Sequence, residues 1–375
     1  MSATLTILPV RGIPQVRAGD DVGALVVTAL RAQGEHLHDG DLLVVTSKLV
    51  SKAEHLVPAG VSAQDGHATT DPADRAALVL AESSRVVSER ATSTGTTRVV
   101  AALAGPVMAG AGIDASNTGS SDLLLLPHDP DAAAAALRAA VVSAWGEPVR
   151  VGVVLSDTAG RPWRAGLTDF ALGLAGVRGV DDLRGRTDSE GRELAVTVRC
   201  LADEVAAAAD LVKGKLDGVP VAVVRGLDGL VVDGPGTGAR ELVRSGPDDW
   251  FALGRAEAVR DALGVPAGSP LSESCGIESV HPEPLADRIA RAVRVALADP
   301  LGPGVGAASD GDRVELRADD PVLLGRAWAR LEVALAGERL AGERLAGERL
   351  PDGADGPGPD GDGPARVVRL RVRER

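Results

Sequence analysis

A mixed α/β fold without the regular alternation of a Rossmann domain is what this sequence predicts, on three observations. Short β-branched runs, Leu42-Leu43-Val44-Val45, Val151 to Leu155 and Val219 to Val224, are almost continuously apolar, as strands covered on both faces are. Helical patterns lie between them. Long glycine- and polar-rich loops at 104–121 and 176–193 interrupt the strand–helix alternation that a doubly wound sheet requires.

The individual elements follow from local signals. Asp129-Pro130 offers an N-cap followed by proline at the first helical position, and predicts a helix through the alanine-rich stretch to about Trp145. A second helix is expected from Leu201 to Val212, stopping near Gly214. Past residue 250, helical patterns at Glu283 to Ala298 and Pro321 to Ala336, a strand at Arg313 to Arg317 and an alternating tail from Val367 to Arg373 predict a small C-terminal α/β appendage. The pentapeptide Ala-Gly-Glu-Arg-Leu occurs three times from Ala336 to Leu350; far shorter than a solenoid repeat, it reads as an extension of the preceding helix. Residues 351–364 have the composition of a flexible acidic linker and lack the closing glutamate of a calcium loop. The expected organisation is a main body over 1–248, an appendage of unassigned role over 249–350, and a linker with a terminal strand over 351–375.

Composition narrows the function. With 375 residues, 45% of them hydrophobic, the chain can bury one or two cores, and its length suggests two or three domains. Aromatic residues make up only 2%, so alanine, valine and leucine must build those cores. A net charge of −13, with no basic run interleaved with aromatics, argues against nucleic-acid binding and for small-molecule partners. Cys200 and Cys275 stand apart from any CxxC or histidine cluster, which signals neither zinc nor a disulfide framework and fits a reducing cytoplasm. Met1 to Pro9 lacks a basic region, and no window reaches the roughly 20 apolar residues of a membrane span. A soluble, non-exported protein is expected.

Four segments carry chemistry. Ser156 to Gly166, directly after the Val151–Leu155 run, places an acid, a hydroxyl, a glycine turn and two arginines around a tryptophan at one expected strand mouth. Such groups bind cations and anions together, as a polyphosphate site does, and Asp157 with Thr158 suits a hard divalent cation. Gly12 to Val16, ahead of Gly19-Asp20-Asp21, is a turn-rich stretch able to expose backbone N–H groups. Thr46 to Lys52 sets two lysines and several hydroxyls at a strand exit, where lysine can act as a point charge on phosphate or simply as a solvated side chain. Ala111 to Gly119 packs an acid, an amide and hydroxyls into a glycine-bounded loop, although an Asx-turn explains each residue singly. Gly234 to Arg240 imitates a phosphate loop but matches neither GxGxxG nor GxxxxGK[ST], and reads as a glycine turn. The six histidines show no paired spacing and read as solvated bystanders, and no GxSxG elbow is present.

Taken in order, Ile7 to Pro14, Asp39-Gly40-Asp41 with Val45 to Glu54, Ala111 to Asn117 and Ser156 to Arg164 closely resemble the coenzyme F420-0:L-glutamate ligase family, over roughly residues 5–250. The resemblance implies that family's fold and the GTP-dependent addition of L-glutamate to F420-0 through an acyl phosphate, with further γ-linked glutamates, in F420 biosynthesis. Carried over by position, the nucleotide contacts fall on Ile13, Pro14, Gln15, Val16, Ser47, Lys52, Asn117 and the stretch Lys213-Gly214-Lys215, and the metal ligands on Asp114, Asp157 and Thr158. In that last stretch the family can present an amide or carboxylate to the metal, whereas this chain has Lys215, which cannot ligate a cation while protonated.

Phosphoryl transfer of this kind needs positioning and charge neutralisation, here from Lys52 and the metal. By residue type, Arg161 and Arg164 are catalytic candidates for the substrate's phosphodiester or carboxylates, and Trp163 is a platform for the deazaflavin ring or a core anchor. The implied cofactor is Mg2+ or Mn2+, with a monovalent cation such as K+ admissible; F420-0, L-glutamate and GTP are the implied partners, in a homodimer. Some relatives continue into an FMN-binding nitroreductase-like domain; no opening of one follows Trp250-Phe251, so FMN is not expected. Two other readings stay open: a nucleotide-dependent carboxylate–amine ligase acting on another acceptor, and a non-catalytic F420- or GTP-binding homologue.

Overall fold

The computed structural model describes residues 4–58, 72–116, 123–298, 304–345 and 366–375. In chain order these form β1 (Thr6–Val10), α1 (Val22–Ala32), β2 (Leu42–Thr46), α2 (Ser47–Ala53), α3 (Pro72–Ala81), β3 (Ser83–Thr92), β4 (Gly95–Ala102), β5 (Val107–Ala109) and α4 (Pro130–Trp145). There follow β6 (Gly152–Arg161), β7 (Arg164–Ala175), β8 (Val180–Asp182), β9 (Val198–Cys200), α5 (Leu201–Lys213) and β10 (Val221–Arg225). The chain divides into two compact units, residues 1–84 with 101–249 and residues 85–100 with 250–375. Most of the β3–β4 pair therefore goes with the C-terminal unit, a partition that a single boundary near residue 248 does not capture.

The N-terminal unit is built on a five-stranded sheet of order β1-β10-β2-β6-β7. Only β2 and β6 run parallel; the other three pairings are antiparallel, so the sheet is mixed and not doubly wound. Burial on both faces explains the continuous apolar runs. Leu42, Val44, Val154, Ala222 and Val224 share one core with Ala202, Val205, Ala206 and Ala209 of α5. Leu43, Val45, Val153 and Leu155, fully buried, point the other way, where α4 crosses β6 and β7. In place of aromatics, small residues bring the layers together: a Cβ on Gly173 would stand 2.2 Å from the Pro130 carbonyl oxygen at the start of α4.

Helix ends fall where the capping signals put them. The Asp129 side chain accepts from Ala132 N, Pro130 fills the first turn, and Gly146 closes α4 in the left-handed region. The Gly234–Arg240 turn holds an anion, but one supplied by the protein itself: the Asp131 carboxylate accepts from Ala239 N at 2.7 Å and Arg240 N at 3.3 Å, and from Leu174 N of β7 at 2.8 Å.

Two expectations change. The strand beginning at Gly152 does not open into a mouth at Ser156; it runs on to Arg161, because β7 pairs with it across a register shift between Leu155 and Ser156. Asp157, Thr158 and Gly160 are thus strand residues, with Thr158 opposite Asp169.

The second change lies in the C-terminal unit, which contains α6 (Arg255–Ala262), α7 (Pro270–Cys275), α8 (Leu285–Leu297), β11 (Gly306–Asp310), β12 (Arg313–Ala318), α9 (Pro321–Gly337), β13 (Leu340–Arg344) and β14 (Arg366–Glu374). Its antiparallel sheet has the order β11-β12-β14-β13, and its core is drawn from α8, α9 and the sheet. The pentapeptide repeat is not a helix extension. Helix α9 stops at Gly337, Arg339 turns the chain at φ +59°, and Leu340, 0% exposed, enters the core as the first residue of β13, paired to β14. The third copy and the acidic segment 351–364 lie outside the described residues. Among the described residues, no helix is long and apolar enough to cross a membrane.

Gly173→Ala should lower stability by about 1–3 kcal/mol through overpacking of α4 on β7, seen as a reduced melting temperature. An unchanged melt would show that this approach is not tight.

Candidate active site

One cleft of about 330 Å³ opens in the N-terminal unit, and five separate stretches of sequence line it. Ile13 to Val16 come from the loop before α1; Thr46, Lys48, Leu49 and Lys52 from the β2–α2 junction; Thr158 and Asp169 from β6 and β7; Asp210 and Lys213 from α5; and Gly214 to Leu216 with Gly218 to Pro220 from the connection to β10. Helix α2 starts where β2 ends, and residues four apart share a helix face, so Lys48 and Lys52 both reach the cleft. Ser47, on another face of the same helix, is buried and does not line it.

The floor is a buried polar cluster that no motif announces. Asp169, 4% exposed, accepts from Thr158 Oγ1 at 2.7 Å on one carboxylate oxygen, and from Ser156 Oγ at 2.9 Å and Lys213 Nζ at 2.7 Å on the other. Lys213 Nζ also donates to Ser156 Oγ at 2.8 Å. Lys213, only 2% exposed, is therefore occupied by protein partners, although part of it lines the cleft. A buried charge must be paired, and this pair ties the end of α5 to the β6–β7 ribbon. Nothing in the spacing of Asp169 and Asp210 links them to the motifs; the available signal for Asp169 is an acid directly before the apolar stretch Phe170 to Ala175.

A second ion pair joins Lys48 to Asp114 at 2.6 Å. Ser116 closes an Asx-turn on the same carboxylate through its N–H at 3.0 Å. Burial pushes the Asp114 carboxyl up, but the bonds from Lys48 and Ser116 outweigh it and hold the group below its ordinary value. Lys52 is lowered, first by burial and then by repulsion from Lys48. Asp157 is raised to about 7, chiefly by burial, with repulsion from Asp114 and Asp169 adding to it. Asp210 is also raised, by burial and then by Asp169.

These groups bear on metal binding. Among the described residues, no three His, Cys, Asp or Glu side chains are arranged to hold a metal ion. The donors are nonetheless hard oxygens, and magnesium is commonly held by one or two carboxylates with water and substrate phosphates completing the shell. Asp114 and Asp157 are donors of that type and close enough to repel each other, but neither lines the cleft and Asp114 is already paired with Lys48. Asp157 and Thr158, adjacent on β6, project to opposite faces, so their side chains do not converge on one ion; Thr158 alone of the two lines the cleft.

The cleft thus gathers Ile13, Pro14, Gln15, Val16, Lys52, Thr158, Lys213, Gly214 and Lys215. Arg161 and Arg164 are exposed at the tip of the β6–β7 hairpin and do not line it. Between them Trp163, at φ +61°, is 84% exposed, which excludes the core-anchor reading. Asn117 lies outside the described residues.

A family model described as F420-0:Gamma-glutamyl ligase matches residues 12–226, the span that contains every cleft residue. A protein of Archaeoglobus fulgidus named coenzyme F420:L-glutamate ligase is 40% identical over 251 residues, 65% of this chain and 94% of the relative. Proteins of the same name from Halobacterium salinarum and Haloarcula marismortui are 40% and 38% identical, over 93% and 100% of their lengths.

Lys213→Met should destabilise the protein by about 3–5 kcal/mol, because it leaves the Asp169 carboxylate buried and unpaired. Lys52→Met should change stability by no more than about 0.5 kcal/mol. Denaturant titration of both variants distinguishes the structural lysine from the cleft lysine.

Proposed function

The chain belongs to the F420-0:gamma-glutamyl ligase family, and from that premise we propose that it is a GTP-dependent ligase that joins L-glutamate to coenzyme F420-0 and extends the product by γ-linked glutamates. The observation that carries the reading is the convergence of Ile13 to Val16, Lys52 and the Lys213–Pro220 connection on one cleft with a carboxylate and hydroxyl floor. A polyphosphate needs cations and its accompanying metal needs hard oxygens; lysines and the oxygens of Thr158, Asp169 and Asp210 line this cleft.

In the proposed reaction the terminal carboxylate of F420-0 attacks the γ-phosphorus of GTP and GDP leaves. The amine of glutamate then displaces phosphate from the acyl phosphate, forming the amide and releasing a proton. The protein's task is alignment and charge neutralisation. Lys52 and Lys215 face the cleft without an ion pair among the described residues and suit phosphate and carboxylate oxygens. Asp114 and Asp157 would hold Mg2+ or Mn2+, which when bound neutralises charge on the polyphosphate. Lys215 takes no part in ligation and supplies positive charge directly. Leu216, 94% exposed at the cleft, gives apolar surface for a flat ring. With Arg161, Arg164 and Trp163 at an exposed hairpin tip, their role is contact with the outer part of the coenzyme or with a second copy in a homodimer.

Mass spectrometry of F420-0 incubated with the protein, GTP, L-glutamate and Mg2+ or Mn2+ should show a ladder of glutamate additions that a chelator abolishes. Asp157→Asn should remove turnover at an unchanged melting temperature, since it deletes charge and keeps volume. No addition by folded, GTP-binding wild type, or full activity in Asp157→Asn, would overturn the acceptor or the metal assignment respectively.

A further inference from the structure

We infer that Asp210 receives the amino group of the incoming amino acid: its carboxylate takes the proton that the substrate ammonium must lose before its nitrogen can attack. Among the described residues, two acids line the cleft. Asp169 has both oxygens engaged, by Thr158 on one and by Ser156 and Lys213 on the other. Asp210 differs. Among the described residues no hydrogen bond or ion pair closes on its carboxylate, and the residue is only half-buried, open to water as well as to the cleft. Nor does the fold favour a charge there. Asp210 stands in the last turn of α5, where helix carbonyl ends concentrate negative charge. Burial, and then repulsion from Asp169, raises its pKa; Lys213 and Lys215 oppose this, but Lys213 is committed to Asp169. Such a carboxylate contributes nothing to the frame and is poised as a base.

The inference rests on the acyl-phosphate reaction proposed above. Of the organic groups which that reaction brings together, phosphates and carboxylates are anions that Asp210 repels, and the one cation is the ammonium of L-glutamate. Lys215, close enough to act on Asp210, lines the same cleft and suits the anions, so the acid stands beside the place where the acyl phosphate forms. Unpaired lysines nearby also disfavour the ammonium form of a bound amine, which eases loss of its proton. In the step, an N–H bond of the ammonium breaks, its proton moves to an Asp210 oxygen, and the electron pair stays on nitrogen. That pair bonds to the acyl carbon, the carbon–oxygen bond to phosphate breaks, and phosphate departs with its electrons. The second proton, lost as the amide forms, and the one on Asp210 pass to the water that reaches this half-buried residue.

Hydroxylamine in place of L-glutamate separates this step from the one before it, because hydroxylamine is unprotonated at neutral pH and needs no base to trap an acyl phosphate as a hydroxamate. With F420-0, GTP and Mg2+, Asp210→Asn should form the hydroxamate at the wild-type rate and melt at the wild-type temperature, since no partner is lost. Its addition of L-glutamate should fall about 100- to 10,000-fold, the range for removal of a positioned base, and Asp210→Glu should recover part of that loss. Loss of hydroxamate formation in parallel with glutamate addition would place Asp210 in nucleotide binding or phosphoryl transfer and overturn the proposal. Wild type that forms neither product sinks the acyl-phosphate reading together with this inference. Hydroxamate formation by the wild type, with undiminished glutamate addition by Asp210→Asn, sinks only the role of Asp210.

Discussion

The cleft hangs on one buried ion pair. Asp169 belongs to β7, Ser156 and Thr158 to β6, and Lys213 to the last position of α5, yet their polar atoms lie within hydrogen-bond distance of one another. Neither charge could be buried alone, so the helix cannot drift from the strands without exposing or orphaning a charge. The connection that leaves α5 at Gly214 and lines the cleft as far as Pro220 inherits its starting point from that pair. So does the hydroxyl of Thr158.

The four lysines around the cleft divide by what holds them. Lys48 is tied to Asp114 and Lys213 to Asp169, each pair joining elements far apart in sequence. Lys52 and Lys215 have no such partner among the described residues and line the same cleft. Four unpaired cations at one cleft would repel one another at a cost to the folded state. Pairing two of the four internally lowers that repulsion and leaves two ammonium groups unpaired at the cleft.

How much of this was legible depended on whether the signal was local. Asp129, Pro130 and Gly146 bound α4 because caps act on neighbouring backbone, and the strands of the central sheet showed as apolar runs because both faces are covered. Ile13 to Val16, Lys52 and Lys213 to Lys215 could be named as candidates through family motifs, and the fold brings them to one cleft. Asp169 was not, because its partnership with residue 158 exists only once β6 and β7 pair with a one-residue shift, a choice made by tertiary packing. That same extended pairing carried Arg161 and Arg164 out to a hairpin tip. In the C-terminal unit, the affinity of the Ala-Gly-Glu-Arg-Leu repeat for helix was overridden by an available partner in β14 and a core slot for Leu340.

Two adjacent, identical pentapeptides therefore have different fates: the first ends α9 and turns the chain, and the second supplies most of β13. Because the units are identical, gain or loss of one by slipped replication would return the same five side chains to the same strand positions. Only the number of residues between β13 and β14 would change. The repeat is a place where the gene can lengthen or shorten while the packed interior of this unit is left as it was.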